Sequence, residues 1–155
     1  MKIAIVVLVV GERYVTRFEK YFKNSVVQYC QRHGYEFILL DSLIRQESQM
    51  DTKKFYWQRM LIPSAFPEYD FVVSLDSDIF IQPNAPALPF EDIPEGKVAA
   101  VNERKYFHYE WRQMIQERKG WERTAQDWYA LSGHPRDYTD HINGGLVIYQ
   151  PKIHG

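Results

Sequence analysis

The 155-residue sequence predicts an α/β fold, an open and mostly parallel sheet with helices on both faces. Three observations carry this. The chain opens on an unbroken apolar run, Ile3 to Val10, as a strand covered on both faces requires. Two further short apolar runs, Phe37–Leu40 and Phe71–Leu75, follow at intervals with room for a helix. Between them the apolar residues change from continuous runs to helical spacing.

After Val10, Gly11-Glu12-Arg13 breaks the pattern, and from Tyr14 the residues Phe18, Phe22, Val26 and Tyr29 mark one helix face. Gly34 after His33 reads as the C-terminal cap. The second strand ends at Asp41, and residues 42–50 are polar loop. Asp51 can cap a second helix to about Phe66, with Pro63 kinking or ending it. The third strand, Phe71–Leu75, runs straight into Asp76-Ser77-Asp78. Four of the eight prolines lie from Pro83 to Pro94, an extended surface loop. A short strand is expected at Val98–Val101, a helical pattern interrupted at Gly120 over 105–131, and a loop from Gly133 to Asp140. A last strand, Leu146–Tyr149, is entered through Asn143-Gly144-Gly145. The length fits a single domain spanning 1–155, either by itself or as the N-terminal part of a longer chain.

Composition narrows the function. A net charge of −1 offers no basic excess to neutralise a nucleic-acid backbone. Cys30 is the single cysteine, so no internal disulfide framework exists, and its place on an apolar helix face marks it as core. The run at residues 3–10 is too short to span a bilayer and has no small-residue cleavage site behind it. With Met1 directly before that strand, the expectation is a cytoplasmic chain without leader or transmembrane segment.

Chemistry concentrates at the third strand's end. In an open α/β sheet, ligands bind at the carboxyl ends of the strands. Asp76 and Asp78 share a face if the strand continues, and can converge on one ion if the chain turns. Two unpaired carboxylates so close repel, and a divalent cation removes the conflict. Oxygen donors suit Mn²⁺ or Mg²⁺, ions that share their coordination with phosphates. A bare D-x-D is also a common solvated turn. An EF-hand reading fails because Phe80 and Ile81 stand where a ligand and a glycine are needed.

The segment Phe71-Val72-Val73-Ser74-Leu75-Asp76-Ser77-Asp78-Ile79-Phe80 resembles the D-x-D segment of GT-A fold glycosyltransferases, and is most similar to galactosyl- and glucosyltransferase families with an LDSDI core. Ile3–Tyr14 resembles their first strand and nucleotide loop. Arg59, 17 residues before Asp76, matches the helix arginine near the donor, and His141–Val147 resembles the family's strand entry. The resemblance implies a nucleoside diphosphate sugar donor, UDP-linked, and a carbohydrate or other hydroxyl acceptor. It places Asp76 and Asp78 on the metal and Asp76 also on ribose. Val9, Val10, Gly11, Tyr14 and Ser77 fall at the nucleotide, Arg59 at a phosphate or the donor sugar, and Asn143, Gly144 and Gly145 beside the sugar. The family's third ligand, a histidine in an H-x-x-G segment, has no match here, since His154-Gly155 comes too early.

A base for the acceptor hydroxyl is needed only by an inverting enzyme. Asp127, beside Trp128, is the candidate, although the commoner reading of such a pair is a surface helix residue with Trp128 in the core. Two alternatives stand beside the transferase. One is a sugar-nucleotide nucleotidylyltransferase, whose Gly-rich loop after the first strand is missing. The other is a non-catalytic nucleotide-sugar-binding module.

Overall fold

The computed structural model describes residues 1–45, 52–102, 130, 131, 133 and 142–155, and of 52–56 the backbone alone. Their contacts divide the chain into two compact units, Met1–Ala99 with Gly145–Gly155, and Ala100–Gly144.

The first unit is built on the three predicted strands. β1 (Ile3–Leu8) is buried at every position. It pairs in parallel with β2 (Glu36–Leu40) on one side and β3 (Phe71–Leu75) on the other. β5 (Ile142–Tyr149) runs antiparallel to β3, and with β4 (Ala99–Asn102) the sheet order is β2-β1-β3-β5-β4. The open, mostly parallel sheet is therefore as expected, with one reversed strand beside β3.

Each face of the sheet is covered. On one face Ile5, Val7, Val73 and Ile148 pack against Phe18 of α1 (Glu12–Tyr21) and Val26, Tyr29 and Cys30 of α2 (Lys23–His33). On the other, Ala4, Val6 and Val72 meet Tyr69 and Ile62, the latter from the short helix α3 (Ile62–Ala65). Burial of a Leu- or Val-sized side chain contributes about 1.5–3 kcal/mol, and this two-sided burial is why β1 and β3 read as continuous apolar runs.

Three elements differ from expectation. The single helix expected from Tyr14 is two, broken at Phe22 (φ −120°, ψ −39°). The apolar spacing runs unbroken through the joint, but the Ser25 hydroxyl donates to the Phe22 carbonyl at 2.8 Å, the local competition that disturbs helical backbone. The helix expected from Asp51 is a 3-10 segment over Thr52–Leu61, where Phe55-Tyr56-Trp57 lowers α-helical propensity. Pro63 does not end it but sits in the first turn of α3, where a missing N–H costs nothing. β5 begins at Ile142, so Asn143-Gly144-Gly145 lies inside the strand, its pairing overriding weak strand propensity.

Gly34 caps α2 as read, at φ 70°. The helix over 105–131 falls almost wholly outside the described residues. In the second unit the described residues include a turn closed by Gly133 N–H to Ala130 C=O at 3.1 Å.

Candidate functional site

β3 stops at Leu75, and the chain turns rather than continuing straight. The Asp76 amide donates to Gly145 C=O at 2.8 Å, extending the β3–β5 ladder by one bond. The Ile79 amide then donates back to Asp76 C=O at 3.3 Å, closing a turn around Ser77 and Asp78. Beyond it Ile79 and Ile81 pack onto the core while Asp78 and Phe80 face solvent, a period-two alternation that turns the Asp78 carboxylate outward.

Asp76 is half-buried. Its Oδ1 accepts from the Arg59 guanidinium, whose Nε donates to the buried Ser74 hydroxyl at 3.2 Å. Arg59 thus lies across the end of β3 and grips two residues of one face. No hydrogen bond reaches Asp76 Oδ2 among the described residues, nor does any ion pair reach Asp78. Burial pushes the Asp76 carboxyl above the usual aspartate range; Arg59 pulls it down and Asp78 pushes it up again. The two carboxylates therefore feel each other even with an arginine beside one of them. Such oxygens are donors that a hard divalent cation takes. Among the described residues no group of three or more His, Cys, Asp or Glu is arranged to hold a metal.

The ends of β1 and β2 meet beside this turn's strand. The Val9 amide donates to Leu40 C=O at 2.8 Å. Val9 is itself 2% exposed, a core side chain, so what this strand end offers a ligand is half-buried Val10, Gly11 and the exposed ring of Tyr14. Gly11 has φ 99°, a conformation that side chains strain to adopt, and its carbonyl accepts the Tyr14 and Val15 amides as the first turn of α1. Ser77 is half-buried in the turn. Gly145 is buried under Asp76, whereas Asn143 and Gly144 precede it in β5 within the second unit.

Sequence reasoning did not single out Gln58. It is 4% exposed, and its amide pairs with the Arg45 backbone in both directions, accepting from N–H at 2.9 Å and donating to C=O at 3.0 Å. The loop after β2 is tied this way to the residue before Arg59. A polar residue amid aromatics was the available signal.

The structure matches solved glycosyltransferases. One, described as a glycosyltransferase involved in the glycosylation of the major capsid of PBCV-1, superposes with a TM-score of 0.55 at 18% identity, over 97% of this chain and 60% of its own. A second, the apo structure of the bifunctional glycosyltransferase WbbM, gives 0.53 at 17% identity, over 98% of this chain and 32% of its own. At such identities the likeness concerns the fold, and the chain spans less than two thirds of either neighbour. The model of glycosyl transferase family 8 matches residues 1–130. The chain belongs to glycosyl transferase family 8. A comparison with curated proteins found no match. The family 8 match covers both aspartates, Arg59 and the strand ends around them, so the GT-A fold read from the LDSDI segment is the fold observed.

Other readings of this family 8 chain can be placed. Cys30 is buried, and burial pushes its thiol up to about 11, so it is inert core. His33 does more than end a helix: it stacks on Tyr35, and its Nε2 lies 3.3 Å from Ala85 C=O in the proline-rich loop. His154 Nδ1 accepts the Gln150 amide at 3.0 Å, closing the C-terminal turn α4 (Pro151–His154). Among the described residues no helix is long and apolar enough to cross a membrane. Asp127, Trp128 and His141 lie outside the described residues.

Proposed function

We propose that this chain is the donor-binding part of a hexosyltransferase. The reading is that a nucleoside diphosphate sugar, a UDP-sugar, gives its hexose to a carbohydrate or other hydroxyl acceptor. Mn²⁺ or Mg²⁺ would be held by Asp76 and Asp78. Membership of family 8 supports sugar transfer. The observation that supports the metal is Asp76 itself, a carboxyl that burial first, and its charged neighbour Asp78 second, hold above its ordinary pKa against the pull of Arg59. A site that keeps two acids close at a cost in charge has a cation as its natural complement.

The donor set fits such an ion. Asp76 Oδ2 and the Asp78 carboxylate are oxygens of the right kind, on a turn pinned to β5 through Gly145. A bound divalent cation would neutralise the charge that accumulates on the departing diphosphate. The rest falls to the chain. Gly11 allows a phosphate or ribose to approach backbone with no Cβ in the way. The exposed Tyr14 ring offers a face for a planar base. Arg59, already carrying its charge to the site, is the donor for a phosphate oxygen or sugar hydroxyl. Asn143, Gly144 and Gly145 are assigned to the hexose and Asp127 to the acceptor hydroxyl by family resemblance.

A thermal-shift screen tests the reading. At a hundredfold excess over Kd, a ligand stabilises by about 2.7 kcal/mol, on the order of 5–10 °C in Tm for a domain of this size. The expected result is a shift with UDP-hexoses plus Mn²⁺ that disappears with a chelator. An equal shift with and without the chelator would remove the metal from the reading. A shift confined to nucleoside triphosphates would favour nucleotidyl transfer instead.

A further inference from the structure

Ser25 is one of three polar residues buried in the described structure, with Gln58 and Ser74. Ser74 answers Arg59, and Gln58 holds the loop after β2. Ser25 lies on α2, far along the chain from Asp76 and Asp78, yet its hydroxyl makes two bonds. It donates to Phe22 C=O at 2.8 Å and accepts the amide of Ile81 at 3.1 Å. Ile81 closes the stretch that begins at Asp76. The turn bearing both aspartates is thus fixed at entry by Gly145 and at exit by Ser25.

We propose that Ser25 is a positioning residue that sets the register of the Asp76–Ile81 segment and so the aim of the Asp78 carboxylate; this rests on the reading of Asp76 and Asp78 as cation ligands. The alternation of Ile79 and Ile81 inward with Asp78 and Phe80 outward fixes which face each side chain takes, but apolar contacts alone tolerate sliding. A hydrogen bond to one particular amide does not. The break between α1 and α2 at Phe22 fits this role, since the hydroxyl that shares Phe22's carbonyl is the one that reaches Ile81. Without the hydroxyl the Ile81 amide loses its partner. The exit of the turn then moves, and two ligands that must converge on one ion spend less time doing so. Residues that orient metal ligands from behind typically change metal affinity by on the order of tenfold or more.

The test compares full-length protein and three variants, with Mn²⁺ binding read directly by electron paramagnetic resonance and amide exchange at Ile81 read by mass spectrometry or NMR. Ser25→Ala is expected to weaken Mn²⁺ about tenfold and to speed exchange at Ile81. Ser25→Thr keeps the hydroxyl and is expected to restore both. Val26→Ala, a cavity in the neighbouring buried position of the same helix, is the control for lost stability alone. It is expected to lower Tm at least as much and leave Mn²⁺ affinity unchanged. Ser25→Ala binding Mn²⁺ like the parent, or Val26→Ala weakening it equally, would overturn the proposal. A parent protein that binds no Mn²⁺, while Ile81 exchange still responds to Ser25→Ala, would sink the cation-ligand reading and the positioning role that rests on it, yet leave the clasp itself standing.

Discussion

Asp70 and Asp76 stand six residues apart at opposite ends of β3, and their surroundings push them in opposite directions. Lys152 and the Lys2 amide hold Asp70 below the usual range, whereas burial lifts Asp76 above it. The linkage signs follow. Asp70 contributes stability that is present above the unfolded pKa and lost as pH falls through its depressed value. Asp76, raised in the fold, contributes stability that is complete below the unfolded pKa and lost as pH rises through its own value. In urea denaturation across about pH 3 to 6, the parent should therefore gain stability relative to Asp70→Asn as pH rises and lose it relative to Asp76→Asn. Parallel slopes would refute the two environments. At Asp76 burial works against the charged form, a feature that often accompanies function.

Two substitutions separate the carboxylates at the same scale. Asp78 is exposed with no ion pair among the described residues, so Asp78→Asn should leave urea stability within about 0.5 kcal/mol. It should also abolish Mn²⁺-dependent binding of UDP-sugar by calorimetry. Arg59→Met removes a positive charge beside Asp76. Mn²⁺ without nucleotide should then bind more tightly and UDP-sugar more weakly. A fall in both affinities would mean that Arg59 serves only to hold Asp76 in place. The place of Asp76 and Asp78 at a strand's end was legible in the apolar run before them, and Arg59 only through a family resemblance. Ser25 and Gln58 were not, because each acts on backbone far away in sequence, and no spacing rule encodes that.

At the scale of elements, the strands were legible and the joints between helices were not. β1 and β3 are covered on both faces, so burial writes their length directly as apolar runs. The break at Phe22 is invisible to periodicity, since Phe18, Val26 and Tyr29 keep one face on the core across it. The antiparallel sense of β5 was equally hidden: its apolar run is as short as a parallel strand's, and direction depends on what precedes it. Gly34 was read correctly because a left-handed cap has a residue preference of its own. Nothing lies within 4 Å of where a Cβ would stand there, so Gly34→Ala carries a purely conformational cost. Urea denaturation should show a loss of about 1 kcal/mol, with Gly34→Asn losing less.

Across the whole molecule, the proline-rich stretch after Ile81 shows why a loop rich in breakers need not be loose. The Tyr29 hydroxyl donates to Pro86 C=O at 2.8 Å, and Phe90 sits edge-on to Tyr35 and tilted against Phe71. The loop closes the α1–α2 face of the core, and Tyr29, Tyr35, Phe71 and Phe90 serve that packing. Burial pushes the Tyr29 phenol up to about 12, so this fastening persists through any physiological pH. Tyr29→Phe keeps the ring and deletes the bond. It should cost about 0.5–1.5 kcal/mol by chemical denaturation, the net worth of one hydrogen bond, since water can reach the exposed Pro86.

β3 is hydrogen-bonded along both edges, to β1 on one side and to β5 on the other. A border strand can peel away while the rest of a sheet persists; an interior one is released only when its neighbours let go. The aspartates are thus mounted on a part of the chain that is among the last to detach. Binding of a cation there should vanish in the same cooperative step as this sheet rather than ahead of it.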